Sequence, residues 1–192
     1  MRTRLPILAI AAAVCFTGFA VEAFCSESKE DSAIHVPTPH DVVAQMLKVA
    51  RLTRDDLVYD LGCGDGRIVV AAASRYGCRA IGYEIDSRKV RQSKNNVMKM
   101  GVESLVRIEK KDIFTLDLRP ATVVTLFLLP EMNDRLVPQL QKLKSGSRIV
   151  CHEFPIDGMQ HDKKITITSK TDGVPRDIYL YVAPLRKQSD PN

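Results

Sequence analysis

The sequence has no tryptophan and only 6% aromatic residues among its 192, which argues against a stacking platform for carbohydrate or nucleobases. Its five cysteines, Cys15, Cys25, Cys63, Cys78 and Cys151, include no C-x-x-C and no paired spacing. That leaves neither a disulfide framework nor a metal cage to expect, and Cys63, Cys78 and Cys151 fall in apolar segments that suit buried, reduced thiols. Internal repeats and low-complexity stretches are also missing, so a solenoid is excluded. What remains is ordinary globular composition, 45% hydrophobic and 27% charged, in a length that fits one domain with a sizeable core.

The N-terminus departs from that average. Arg2 and Arg4 precede an apolar run, Leu5–Val21, and Val21-Glu22-Ala23 offers small residues at the positions a signal peptidase requires. Residues 1–23 are therefore expected to be a secretory signal peptide or an N-terminal membrane anchor, the run being barely long enough to span a bilayer. Residues 24–36 are polar and aperiodic and are expected to be a linker. Net charge is +5, and its excess is local: Arg88, Lys89, Arg91, Lys94, Lys99, Arg107, Lys110 and Lys111 face only Glu103 and Glu109 across 88–111. Without interleaved aromatics this run reads first as a solvated helix face and strand end, and nucleic acid is not expected as a partner.

From residue 37 the chain alternates short apolar strands with amphipathic helices. A helix is expected to start at Thr38, with Thr38 as cap, Pro39 in the first turn, Asp41 completing a capping pair, and Val43, Met46, Leu47 and Ala50 at helical spacing. Strands are predicted at 57–61, 79–84, 105–109, 122–129 and 147–153, with helices at 66–76, 87–100 and 131–144 between them. The segments 163–170 and 177–183 follow each other across a turn with no helix between. The fold class is α/β, a doubly wound Rossmann-like seven-stranded sheet, mostly parallel with a C-terminal antiparallel hairpin. The domain is expected to occupy 37–184, with 185–192 as a tail.

The stretch "VYDLGCGDGR" (58–67) runs from the first strand into a glycine turn. A phosphate-binding P-loop needs Lys and Ser or Thr after its last glycine, and Arg67 stands there instead. A dinucleotide fingerprint needs a third glycine where Arg67 falls, which weakens an NAD-linked oxidoreductase. The pattern is D-x-G-x-G-x-G. A helix N-terminus with no phosphate to neutralise can face a ligand carboxylate, while Asp60 faces a cationic group. An amino-acid head joined to a nucleoside, S-adenosylmethionine, meets both. Glu84, which ends the second strand, is placed to accept ribose hydroxyls, and Asp112 with Ile113, after the third strand, to receive an adenine ring.

These motifs, with "GYEID" and "KKDIF", resemble class I, seven-strand S-adenosylmethionine-dependent methyltransferases over about residues 37–184. By that resemblance Asp60, Gly62, Gly64, Asp65 and Gly66 hold the methionine part, Glu84 the ribose and Asp112 with Ile113 the adenine, and Thr38 touches the cofactor head. A narrower likeness rests on "HVPTP" (35–39), "DLGCGDGRIV" (60–69) and "TLFLLPEMN" (125–133). It is to the lysine methyltransferases that modify the mitochondrial ADP/ATP carrier and the c-ring protein of ATP synthase, and to their bacterial relatives. Cys63 departs from the serine frequent there.

The resemblance implies an acceptor site after the fourth strand. Enzymes acting on adenine or glutamine amides carry Asn/Asp-Pro-Pro-aromatic there, whereas this chain has Leu128-Leu129-Pro130-Glu131, an apolar wall suited to an aliphatic amine. The expected partner is accordingly a protein, with a lysine as acceptor, and a membrane protein is the bolder form of that expectation. Small-molecule methylation and a non-catalytic binding module stay open as alternatives. Glu131 and His152 are the candidate acid–base residues, each balanced by a plainer role as a helix N-terminal acid and a strand-end residue. No metal is expected. Location is expected to be membrane-associated or exported through residues 5–21, although an exported enzyme would be parted from a cytosolic cofactor.

Overall fold

The computed structural model describes residues 37–188. The expected leader 1–23 and linker 24–36, with Cys15 and Cys25, lie outside the described residues. Among those residues no helix is long and apolar enough to cross a membrane.

Helix α1 (His40–Val49) buries Val42, Val43, Met46 and Leu47, the stripe its spacing predicts. Its start differs from the expectation. Pro39 takes the N-cap place with extended backbone and gives no side-chain cap. Thr38 instead spends its hydroxyl on His152, 114 residues away, and Asp41 accepts from the Lys170 N–H (2.6 Å) and the Ser169 hydroxyl (3.3 Å). Both side chains that look like local caps are used for tertiary ties.

After α1 come β1 (Leu57–Leu61), α2 (Arg67–Tyr76), β2 (Arg79–Glu84), α3 (Ser87–Lys99), β3 (Val106–Lys110), a short 3-10 turn at Ile113–Thr115, β4 (Val123–Leu126), α4 (Pro130–Leu140) and β5 (Arg148–His152). The chain then forms β6 (Met159–Gln160), β7 (Lys163–Thr168), β8 (Pro175–Val182) and β9 (Arg186–Lys187). Seven strands make one sheet in the order β3-β2-β1-β4-β5-β8-β7. The first five are parallel, while β8 runs antiparallel to β5 and to β7. This is the doubly wound sheet with its C-terminal hairpin, as predicted.

Most strand and helix ends differ from the prediction by one or two residues, and the larger differences are three. Strand β4 stops at Leu126 rather than 129, because its partner β1 ends at the paired Leu61 and turns away at Gly62. Helix α4 stops at Leu140, weakened in its last turn by Pro138, which has no N–H to give. Strands β6 and β9 pair in a two-stranded sheet of their own, so regular pairing runs past residue 184 into the expected tail. Two-residue strands carry no periodicity, and nothing in the sequence marks them.

Apolar cores fill both faces of the sheet. Helices α1, α2 and α3 cover one, with Val58, Val69 and Val123 at its centre. Helix α4 and the connection before β4 cover the other, around Leu61, Leu126, Leu136 and Ile149. Cys63, Cys78 and Cys151 are buried free thiols, as their apolar setting implies.

Candidate active site

Strand order reverses between β1 and β4, and in sheets of this kind ligands settle at the carboxyl ends of the strands flanking that point. A small, partly open cleft lies there, lined by Pro37, Thr38, Asp60, Gly62, Asp65 and Phe127 among others. The turn after β1 is possible because Gly62, Gly64 and Gly66 adopt φ of 77°, 55° and 79°, a region that side chains strongly disfavour. Gly62 is also sterically required, since a Cβ there would stand 2.9 Å from Leu128 Cδ2. Cys63 packs its sulfur into the space left by the absent side chain of Gly82, which explains why it is tolerated in place of serine.

Asp60, next to last in β1, lies beneath this turn and is 2% exposed. Its Oδ1 accepts from the Thr125 hydroxyl at 2.7 Å, whereas Oδ2 is buried with no hydrogen-bond partner among the described residues. Burial pushes its pKa up to about 7, against the Thr125 hydrogen bond and with help from the charges of Asp65 and Glu84. A buried carboxylate with an idle oxygen costs stability. A cationic group set against that oxygen would relieve the cost.

Glu84 is buried at the end of β2 and ties the site together. It accepts from the Gly64 N–H on Oε2 (3.0 Å) and from the Ile85 and Asp86 N–H groups on Oε1 (2.8 and 3.0 Å). Three of about four acceptor positions are thus taken, which leaves one on Oε2. Asp112, two residues beyond β3, is exposed and caps the 3-10 turn by accepting from the Phe114 N–H at 2.9 Å. Ile113 beside it is 7% exposed. The adjoining ends of β1, β2 and β3 therefore carry Asp60, Glu84 and Asp112 along one edge, in the predicted order.

A strap closes the other side of the cleft. The Arg67 guanidinium, held by Asp65 at 2.6 Å, donates to the Thr38 carbonyl at 2.7 Å, and Thr38 Oγ1 lies 3.1 Å from His152 Nδ1. His152 also stacks at 4.2 Å on Phe127. In the sequence Arg67 reads only as a missing lysine or glycine. Its grip on Thr38 joins residues 29 apart and leaves no local signal, while Thr125 is visible as a polar residue in an apolar strand.

The two acid–base candidates fare differently from the binding residues. His152 is 1% exposed and stands behind Thr38 and Phe127 rather than in the cleft lining. Burial, and the nearby Arg176 charge, lower its pKa to about 4, so it is neutral. Its Nε2 has no hydrogen-bond partner among the described residues; the Glu153 carboxylate is 3.6 Å away. Glu153 adopts φ 64° and pairs with Arg176. Glu131 lies exposed in the first turn of α4, where the helix dipole favours an acid. Among the described residues no group of His, Cys, Asp or Glu is arranged to hold a metal ion.

Comparison with known proteins gives this edge a family. A protein-lysine N-methyltransferase of Saccharolobus islandicus (strain REY15A) is 44% identical over 150 residues, 77% of this chain and 92% of that one. The Xenopus laevis lysine N-methyltransferase named for the c-ring protein of ATP synthase is 34% identical over 122 residues, 63% of this chain and 53% of that one. The chain spans about half the length of the ATP synthase-directed relatives it matches. The crystal structure of an RNA methyltransferase from Salinibacter ruber in complex with S-adenosyl-L-homocysteine superposes with a TM-score of 0.73 at 36% identity, covering 81% of this chain and 98% of that one. Residues 60–163, from the buried Asp60 to the start of β7, match the ANTKMT methyltransferase domain, and the chain belongs to that family of S-adenosylmethionine-dependent methyltransferases.

Proposed function

We propose that the protein transfers the methyl group of S-adenosylmethionine to the side-chain amine of a lysine on a protein. The carrying observation is the cleft between β1 and β4. Its lining holds a buried, half-partnered Asp60 and Phe127, and the chain continues from Phe127 through Leu128 and Leu129 with no amide-orienting polar residue. The lysine methyltransferases among its relatives support the same acceptor.

The residues fit the cofactor on the structure's own terms: an idle buried carboxylate oxygen and a glycine turn that a Cβ would obstruct. In this reading Asp60 Oδ2 receives the ammonium of the amino-acid head, with Gly62, Gly64, Asp65, Gly66 and Thr38 around the methionine part. The remaining position on Glu84 receives a ribose hydroxyl, and Asp112 with Ile113 flanks the adenine. When bound, S-adenosylmethionine supplies an electrophilic methyl on a sulfonium. The chain's part is alignment and desolvation. Phe127, Leu128 and Leu129 disfavour a lysine ammonium and so favour the neutral amine that attacks. His152, neutral and enclosed, backs Thr38 and Phe127 as a positioning residue, and the amine's proton is lost to water before attack. A membrane protein as substrate is the finer form of the reading. It is supported by the apolar run Leu5–Val21 and by the likeness to the Xenopus enzyme named for a component of ATP synthase.

The test is transfer of tritiated methyl into membrane and soluble lysate fractions, followed by mass spectrometry of labelled species. Methyl-lysine in protein supports the reading. Label in RNA, the substrate class named for the Salinibacter structure, or in small molecules, with none on lysine, overturns it.

A further inference from the structure

Helix α3 is the outermost helix on its face of the sheet, packed over β2 and β3, with β3 at the sheet edge. It buries Val90, Ser93 and Val97, donates from Asn96 to the Asp65 carbonyl at 2.9 Å, and turns most other side chains outward. Its thirteen residues include Arg88, Lys89, Arg91, Lys94 and Lys99 and no acid. Arg88 pairs with Asp86. Arg91, Lys94 and Lys99 are exposed and have no carboxylate partner among the described residues.

The local acids that could balance this charge are spent elsewhere. Asp60 and Glu84 are buried in the cleft, Asp65 grips Arg67, and Asp56 pairs with Arg148. Of the acids that follow the helix as far as Asp112, Glu103 and Asp112 are exposed and Glu109 pairs with Lys111. At the C-terminal end of α3 two large apolar side chains, Met98 and Met100, are each 56% exposed. Met98 lies one turn beyond Lys94 on the same stripe.

We infer that the outward face of α3 is a docking surface for an anionic lipid bilayer. Uncompensated Lys and Arg supply attraction to acidic headgroups, and flexible methionines supply apolar insertion at the boundary. Charge alone would serve RNA as well. Single-stranded RNA, however, is held by stacking on aromatic rings, and α3 has none, while two exposed thioether side chains are of no use to a phosphate backbone. The apolar run Leu5–Val21 in the same sequence points to the same partner.

The placement has a functional consequence. Helix α3 begins directly after Glu84 and Asp86 at the cleft edge and returns antiparallel to the strands. Lying flat on a bilayer, it would leave the strand ends, and the cleft, opening along the membrane surface. This inference does not depend on which acceptor is methylated.

The absence of tryptophan supplies the test. In the full chain, Met98→Trp installs a sole indole on α3, and Arg119→Trp, on the other side of the sheet, is its control. With vesicles of phosphatidylcholine and phosphatidylglycerol carrying doxyl-labelled lipid, the Met98→Trp protein should shift to shorter wavelength and be quenched. Arg119→Trp should not respond, and Met98→Trp should respond far less to phosphatidylcholine alone. Adding Arg91→Glu and Lys94→Glu should raise the lipid concentration for half-quenching by roughly 30-fold, with the circular dichroism spectrum unchanged. The inference is overturned if Met98→Trp is not quenched, if both indoles are quenched alike, or if charge reversal has no effect. It is equally overturned if the indole answers to poly(U) RNA and not to lipid.

Discussion

Asp56 and Asp60 flank the same short strand, one before β1 and one near its end, and they are treated in opposite ways. Asp56 accepts from the Thr53 N–H and hydroxyl, from the Thr122 hydroxyl and from the Arg148 guanidinium. Burial alone would push its carboxyl up, but the bonds from Thr122 and Thr53 and the Arg148 charge outweigh it, and the net direction is below the ordinary value. Asp60 has one partner, Thr125, and is pushed up to about 7. The same side chain thus closes the sheet at its amino edge and is held unsatisfied at its carboxyl edge. Where every polar group is paired the residue serves stability; where one oxygen is left idle in the interior, it waits for a ligand.

The largest effects should break the carboxyl-edge half of this contrast. Gly62→Val should lower S-adenosylmethionine affinity by about 100-fold or more, because the new side chain meets Leu128 at a φ it cannot hold. Asp60→Asn should cost a comparable factor in titration calorimetry, yet raise the melting temperature of the ligand-free protein at pH 8, since the buried charge is gone. An Asp60→Asn protein that binds normally would dissolve the contrast.

At the amino edge the loss should be in stability instead. Asp56→Ala strands the Arg148 guanidinium, which is 21% exposed, and should destabilise by about 2–4 kcal/mol in urea denaturation after allowance for that exposure. Affinity for S-adenosylmethionine in the remaining folded protein should hold within about twofold.

Titration should separate the two acids by sign. The folded-state pKa of Asp60 is raised from 3.8 to about 7, so its contribution to ligand-free stability is present below pH 3.8 and lost as pH rises through 7. That of Asp56 is lowered, so its contribution is present above 3.8 and lost as pH falls further. A ligand ammonium needs Asp60 ionised, and cofactor affinity should climb by up to about tenfold per pH unit below 7, with a proton released on binding that calorimetry in buffers of different ionisation enthalpy would count. Affinity flat from pH 5 to 8 would contradict the assignment.

Smaller effects should refine the strap. His152→Ala should weaken cofactor binding by about fivefold, through Thr38 and Phe127 losing their support, with Thr38→Val acting in the same direction. Glu131→Gln should leave methyl transfer within about twofold, as expected of an exposed helix-start acid. A loss beyond tenfold would return Glu131 to the reaction.

The sequence by itself determined the sheet, its hairpin and the order of acids along one sheet edge. Alternation of apolar strands with helices is a local pattern, and D-x-G-x-G-x-G is a run of neighbours whose backbone demands can be met in one way. Asp60, Glu84 and Asp112 were legible because each lies within two residues of a strand's carboxyl end, and parallel strands bring those ends to one side. Tertiary structure alone decided how the side chains were spent. Thr38 and Asp41 look like caps in any local reading but bond to His152 and to the Ser169–Lys170 turn. His152 stands in the sequence as either an acid–base candidate or a strand-end residue, and the fold encloses it. The basic excess of 88–111 is plain in the sequence, but that Arg91, Lys94 and Lys99 lie exposed without a carboxylate partner among the described residues is decided by the fold. Hydrogen-bond partners and burial depend on which distant segments meet, and that information belongs to the packed chain, not to neighbours in the sequence.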